Sequence, residues 1–141
     1  MEVTGTRGAV DDGSIGSARF ARVVFTIAGI WGILIMTPLY FTLDAVNRVY
    51  PPPITHPDLY YGFIDVTLAW QIAFLIIARN PVRYRTIMLA GILEKALYVT
   101  TIMVLCVHGH LLPRQAAIVI VPDGTLGLLF LAAFFRTPAL R

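Results

Sequence analysis

Residues 87–107 read IMLAGILEKALYVTTIMVLCV, and this run decides the fold. At ~1.5 Å per residue, about 20 apolar residues cross the ~30 Å hydrocarbon core of a bilayer. The run is long enough and apolar enough to do so, yet it carries Glu94 and Lys95 near its middle. Ionisable groups inside such a helix are costly and face a bundle interior or a water-filled cavity. The rest of the chain must therefore supply helices that shelter these two side chains.

Three more apolar runs are available. Residues 20–43 (FARVVFTIAGIWGILIMTPLYFTL), 59–78 (LYYGFIDVTLAWQIAFLIIA) and 115–135 are each long enough to span. Pro38 is expected to disturb the last turns of the first run, and Pro122-Asp123-Gly124 to break the last. Between the first two lies DAVNRVYPPPITHPD, residues 44–58. Its Pro51-Pro52-Pro53 cannot continue a helix, whereas 44–50 suits a short interfacial turn of helix. Tyr40, Tyr50, Tyr60 and Tyr61 gather around this loop as an aromatic belt. The turns at 79–85 and 108–114 are short, so consecutive spans must run antiparallel. The expected fold is all-α, an antiparallel four-helix transmembrane bundle over residues 18–137. Residues 1–17, rich in glycine and without apolar period, read as a flexible tail and not as a cleavable signal; 138–141 form a second short tail.

Composition agrees with this reading. Only 13% of the 141 residues are charged, about half the share in soluble domains, and mean hydropathy is +0.76. The net charge of +3 does not point to nucleic acid, because the arginines sit at the ends of apolar runs and form no single basic face. Their distribution instead sets orientation. Eight (Arg7, Arg19, Arg22, Arg79, Arg83, Arg85, Arg136, Arg141) fall on one side and two (Arg48, Arg114) on the other. The positive-inside rule then predicts a multi-pass protein with both termini in the cytoplasm.

The polar residues within the spans are the candidate site. By rise per residue, Glu94 lies roughly 10 Å from the Arg-rich boundary, and Asp65 and Asp123 lie roughly 9 and 12 Å from the other. Gly91, Glu94, Tyr98 and Thr101 follow a helical stripe, with Lys95 one step round; Ala116, Asp123 and Gly127 form a similar stripe on the last span. Three acids on three helices with one lysine suggest a shared polar centre. Asp65, Gln71, Glu94, Lys95, Tyr98 and Asp123 would line a cavity for a small lipophilic or amphiphilic molecule. A structural reading also stands, in which Lys95 pairs with Asp123 or Asp65 and Gln71, Tyr98 and Thr101 fix helix register. An enzyme would use Glu94 or Asp123 as its acid or base on a lipid-like substrate. A structural subunit, or a homodimer, would use the small residues Ala28/Gly32 and Gly124/Gly127 as contact faces.

Other candidates carry less chemistry. His56, His108 and His110 share the Arg-poor side and could ligate a metal, although an H-G-H turn is also an ordinary polar loop. No metal or cofactor is expected. Trp31 and Trp70 read as packing or interface residues, and the single cysteine, Cys106, as a small apolar filler. The sequence contains no Walker loop, G-x-G-x-x-G, G-x-S-x-G, H-E-x-x-H or C-x-x-C.

HPDLYYGFIDVTLAWQIAFLIIARNPVRYR, with ILEKALY and PDGTLGLLFLAAFFRT after it, resembles small bacterial four-span membrane proteins similar to the DoxX-like group. The resemblance covers about residues 19–137 and implies the four-span fold without a catalytic set. The layout also looks like EXPERA-type bundles. That likeness implies an ordered loop after the first span and acids facing a lipophilic pocket, with Asp65, Gln71 and Glu94 placed where such acids could lie.

Overall fold

The computed structural model of the chain describes residues 8–139. It is all-α: α1 (Gly8–Met36), a 3₁₀ helix (Thr37–Phe41), α2 (Leu43–Val49), α3 (Pro57–Arg79), α4 (Arg85–Val107) and α5 (Pro113–Arg136). Four segments, Ala18–Phe41, α3, α4 and α5, are long and apolar enough to cross a membrane. Large apolar side chains such as Ile27, Leu34, Ile72, Leu89, Val121 and Leu128 lie exposed on the outer faces of all four. Such a surface suits lipid, and helices suit it because every backbone group must be satisfied internally there. The chain is a multi-pass helical membrane protein.

Helix boundaries differ from the expected ones at two places. Helical structure begins at Gly8, inside the stretch read as a tail, and residues 1–7 lie outside the described residues. The last helix is not broken: α5 runs unbroken through Pro122. Proline removes one intrahelical hydrogen bond, to the carbonyl four residues back, and in a lipid setting neighbouring groups tolerate that loss. Near Pro38 the α-helix does give way, tightening into the 3₁₀ segment, whose Leu39 carbonyl accepts the Tyr60 hydroxyl at 2.9 Å.

Packing is pairwise. α1 lies along α3 and α4 along α5, and α1 meets α5; α3 and α4 touch little despite the short turn that joins them. The close approach of α1 to α3 depends on Gly32. A β-carbon there would stand 2.1 Å from Gln71 Oε1, so only glycine leaves room for that side chain. Ala28, one turn earlier, is buried. The small residues of α1 are thus used inside the bundle, and a methyl at Gly127 of α5 would meet Lys95 Cβ at 3.3 Å.

The fully packed core sits at the Arg-rich end. Ala21, Val24, Phe25 and Ala28 of α1 meet Phe74, Ile77 and Ala78 of α3, Met88 of α4, and Phe130 and Ala133 of α5. Phe130 stacks on Phe25 with ring centroids 4.3 Å apart and meets Phe74 edge-on at 4.9 Å. Gly91 admits this cluster to α4: a β-carbon there would come within 3.0 Å of the Phe74 ring. Arg85 ties off the same end. Its Nε donates to the carbonyls of Thr137 (2.8 Å) and Phe134 (3.2 Å), and its guanidinium lies 3.9 Å from the Phe134 ring centroid. The two helix pairs are therefore joined at one end and part towards the other.

Candidate functional site

Where the pairs part, a cleft of about 670 Å³ opens within the span region. That volume lies in the range of small-molecule sites, about 300–1,000 Å³. All four spanning helices contribute: Trp31, Gly32 and Ile35 from α1; Phe63, Thr67, Trp70 and Gln71 from α3; Glu94, Lys95, Tyr98 and Thr101 from α4; Ile118, Pro122 and Asp123 from α5. Several wall residues also face outward. Val66, Leu97, Trp31 and Ile118 line the cleft and are each more than half exposed. The cleft is thus open sideways between helices, towards lipid, and not sealed like a soluble core.

Its polar floor is an ion triad. Lys95 is buried, and its Nζ lies 2.5 Å from Asp123 Oδ1 on α5 and 3.3 Å from Glu94 Oε2 on its own helix. Opposite charges at these distances in low dielectric attract strongly, and the pair bridges α4 to α5. The ammonium also lies 5.9 Å from the Phe74 ring centroid, next to the aromatic joint. Glu94 is held less well: its buried Oε2 touches the ammonium but forms no hydrogen bond. Gln71 approaches from α3, buried, with its amide nitrogen donating to the Thr67 carbonyl at 3.0 Å. Above the triad, Tyr98 packs against Phe63 with centroids 5.8 Å apart.

Five of the six sequence candidates therefore meet in one place: Gln71, Glu94, Lys95, Tyr98 and Asp123. Asp65 does not join them. It is exposed on the other side of α3 and accepts a hydrogen bond from the Tyr40 hydroxyl, beside the stacked Tyr40 and Tyr61 rings. The idea of three acids around one lysine reduces to two. The reason is azimuth: Phe63, Val66, Thr67, Trp70 and Gln71 form the stripe of α3 that faces the cleft, and Asp65 lies off it. Of the two partners open to Lys95, the structure selects Asp123.

Wall residues absent from the candidate list include Trp31 and Trp70, read as packing or interface residues, and Thr67, whose hydroxyl donates to the Phe63 carbonyl at 2.7 Å. The sequence signal was present for Trp70, which precedes Gln71 and lies three residues after Thr67 on one helical face. His56 lines a separate, shallower hollow with Pro53, Ile54 and Tyr60 at the Arg-poor end. Among the described residues no group of three or more His, Cys, Asp or Glu side chains is placed to hold a metal ion. Comparisons of the chain with family models, with curated proteins and with solved structures find no match.

Proposed function

We propose that this protein binds one small lipophilic or amphiphilic molecule in the cleft, taking it up sideways from the bilayer. The observation that carries the reading is the pairing of a ligand-sized, lipid-accessible cavity with a fixed polar floor. Apolar walls with a few placed polar groups are the usual make-up of such sites. Lys95 and Asp123 set the floor, Glu94, Gln71 and Tyr98 orient the ligand, and Trp31 and Trp70 hold its apolar body. Architecture alone links this reading to the DoxX-like and EXPERA-type bundles, and a shared fold does not carry function with it.

Native mass spectrometry of the protein released from its membrane tests the proposal. A single adduct of a few hundred daltons at one-to-one stoichiometry is expected. Ala90→Phe, which fills the cleft wall, should remove most of it. Protein that flies bare, or an adduct indifferent to Ala90→Phe, contradicts the reading.

A second reading is an enzyme doing acid–base chemistry on a bound lipid-like substrate, favoured by the Glu94 carboxylate, which is incompletely satisfied beside the cleft. Glu94→Gln would then abolish turnover and leave binding in place. A role as a structural subunit has less support, since Ala28, Gly32 and Gly127 are occupied by contacts within the bundle and Gly124 alone of the four faces open space.

The arginine bias supports an orientation with the Arg-rich end, and with it both termini, on the cytoplasmic side, and the resemblance to bacterial four-span proteins supports an inner-membrane setting. The cleft then opens towards the outer leaflet. Single-cysteine proteins with the thiol at position 108 should react with a membrane-impermeant reagent on intact cells, and those with it at position 83 should not. The reverse pattern would invert the topology.

A further inference from the structure

We propose that the cleft's occupant carries a protonated amine head, held by Glu94, with its apolar body lying along Trp31 and Trp70. This rests on the reading that the cleft binds an amphiphile, and it adds the chemistry of the head.

The first ground is charge. Two carboxylates and one ammonium line the cleft, and among the described residues no other Lys, Arg, His, Asp or Glu does. The formal sum is −1. Lys95 is committed to Asp123 at 2.5 Å, while its distance to Glu94 is 3.3 Å. One negative charge in a mostly apolar cleft therefore lacks a full counter-charge, a costly arrangement in low dielectric.

Donor accounting is the second ground. Glu94 Oε2 receives no hydrogen bond. Of the neighbouring side chains, Gln71 spends one amide N–H on the Thr67 carbonyl and Thr67 its hydroxyl on the Phe63 carbonyl, and no hydrogen bond reaches Glu94 Oε2 from the Tyr98 hydroxyl. An amine head brings both what is missing, a positive charge and N–H donors, and charge-assisted hydrogen bonds are the strong ones. An alcohol supplies a donor without charge. A carboxylate supplies a second repelling anion.

Independently of the acids, the walls suit a cation. Trp31, Trp70, Phe63 and Tyr98 all line the cleft, and aromatic faces attract ammonium groups. Behind the cleft, the Lys95 ammonium lies 5.9 Å from the Phe74 ring centroid in the core.

Both tryptophans of the sequence line the cleft, so intrinsic fluorescence reads its occupancy directly. The full chain in nanodiscs of uncharged phosphatidylcholine would be titrated with chain-brominated dodecylamine, dodecanol and dodecanoate. The amine should quench saturably at a concentration at least about tenfold below that of the alcohol, and the carboxylate should be weakest. Glu94→Gln, which keeps the Lys95–Asp123 contact, should weaken amine binding to the level of the alcohol and so erase the amine's advantage. Asp65→Asn, outside the cleft, should keep the advantage. Saturable quenching by the alcohol shows that the variant is folded.

Equal binding of amine and alcohol by the native protein, as a proton on Glu94 in place of a ligand cation would give, overturns the inference while the cleft remains a binding site. So does an amine preference that survives Glu94→Gln. If no probe quenches saturably, the binding reading itself falls, and this inference with it.

Discussion

Replacing Lys95 with methionine is expected to destabilise the folded protein by about 3–5 kcal/mol, the usual cost of leaving a buried charge without its partner. Lys95 is buried, and its ammonium is within 2.5 Å of Asp123 and 3.3 Å of Glu94. Methionine matches the stem in length and removes the charge, so the loss reads the two stranded carboxylates and not a change of volume. Unfolding of the purified protein by sodium dodecyl sulfate in mixed micelles, followed by loss of helical signal, measures it. Asp123→Asn added to Lys95→Met should recover part of the loss by removing one of the stranded charges. A Lys95→Met protein as stable as the native one would mean that the triad is solvated or absent.

Phe130→Ala should weaken the joint between the helix pairs by about 2–3 kcal/mol. In water-soluble cores the same truncation costs about 3–5 kcal/mol, part of it transfer of apolar surface from water and part the cavity left behind. Lipid tails accept the freed surface as readily as the core does, so the packing share is what remains. Phe130 is fully buried between Phe25 and Phe74, and its loss opens the floor beneath the ion triad. Leu128→Ala, on the exposed face of the same helix, should change stability by no more than about 0.5 kcal/mol. Equal effects at both positions, by the same detergent titration, would show that the aromatic cluster does not hold the pairs together.

The four crossings were legible because bilayer thickness fixes how long an apolar run must be. Short turns at 79–85 and 108–114 then set consecutive spans antiparallel, although α3 and α4 touch little. The α4 stripe was legible too: Glu94, Tyr98 and Thr101 share a face, and that face lines the cleft. Depth alone misled at Asp65. Six residues into an apolar run says how deep a side chain lies, while its direction depends on how α3 rotates against α1, where Gln71 seats against Gly32 and Leu75 against Gly29. Pro122 misled in another way, since a proline was read as a break where neighbouring helices keep the turn intact.

The aromatic joint left a signal that sequence reading passed over. Phe25 lies six residues after Arg19, Phe74 five before Arg79, and Phe130 six before Arg136. Three phenylalanines at matched distance from the Arg-rich boundary, on three crossings, sit at one depth and can meet. Gly91, six after Arg85, supplies the gap on the fourth. The splaying of the pairs beyond that joint was not legible, because it follows from contacts that α3 and α4 do not make.

Exchange of charge between positions 95 and 123 tests the polar floor most directly. Lys95→Asp alone and Asp123→Lys alone each place like charges across α4 and α5, and both single variants should fail to yield a folded, detergent-stable protein. The double variant Lys95→Asp/Asp123→Lys restores an opposite pair and should recover most of the native resistance to sodium dodecyl sulfate. Single variants as resistant as the native protein, or a double variant no better than the singles, would show that these two side chains do not meet inside the membrane.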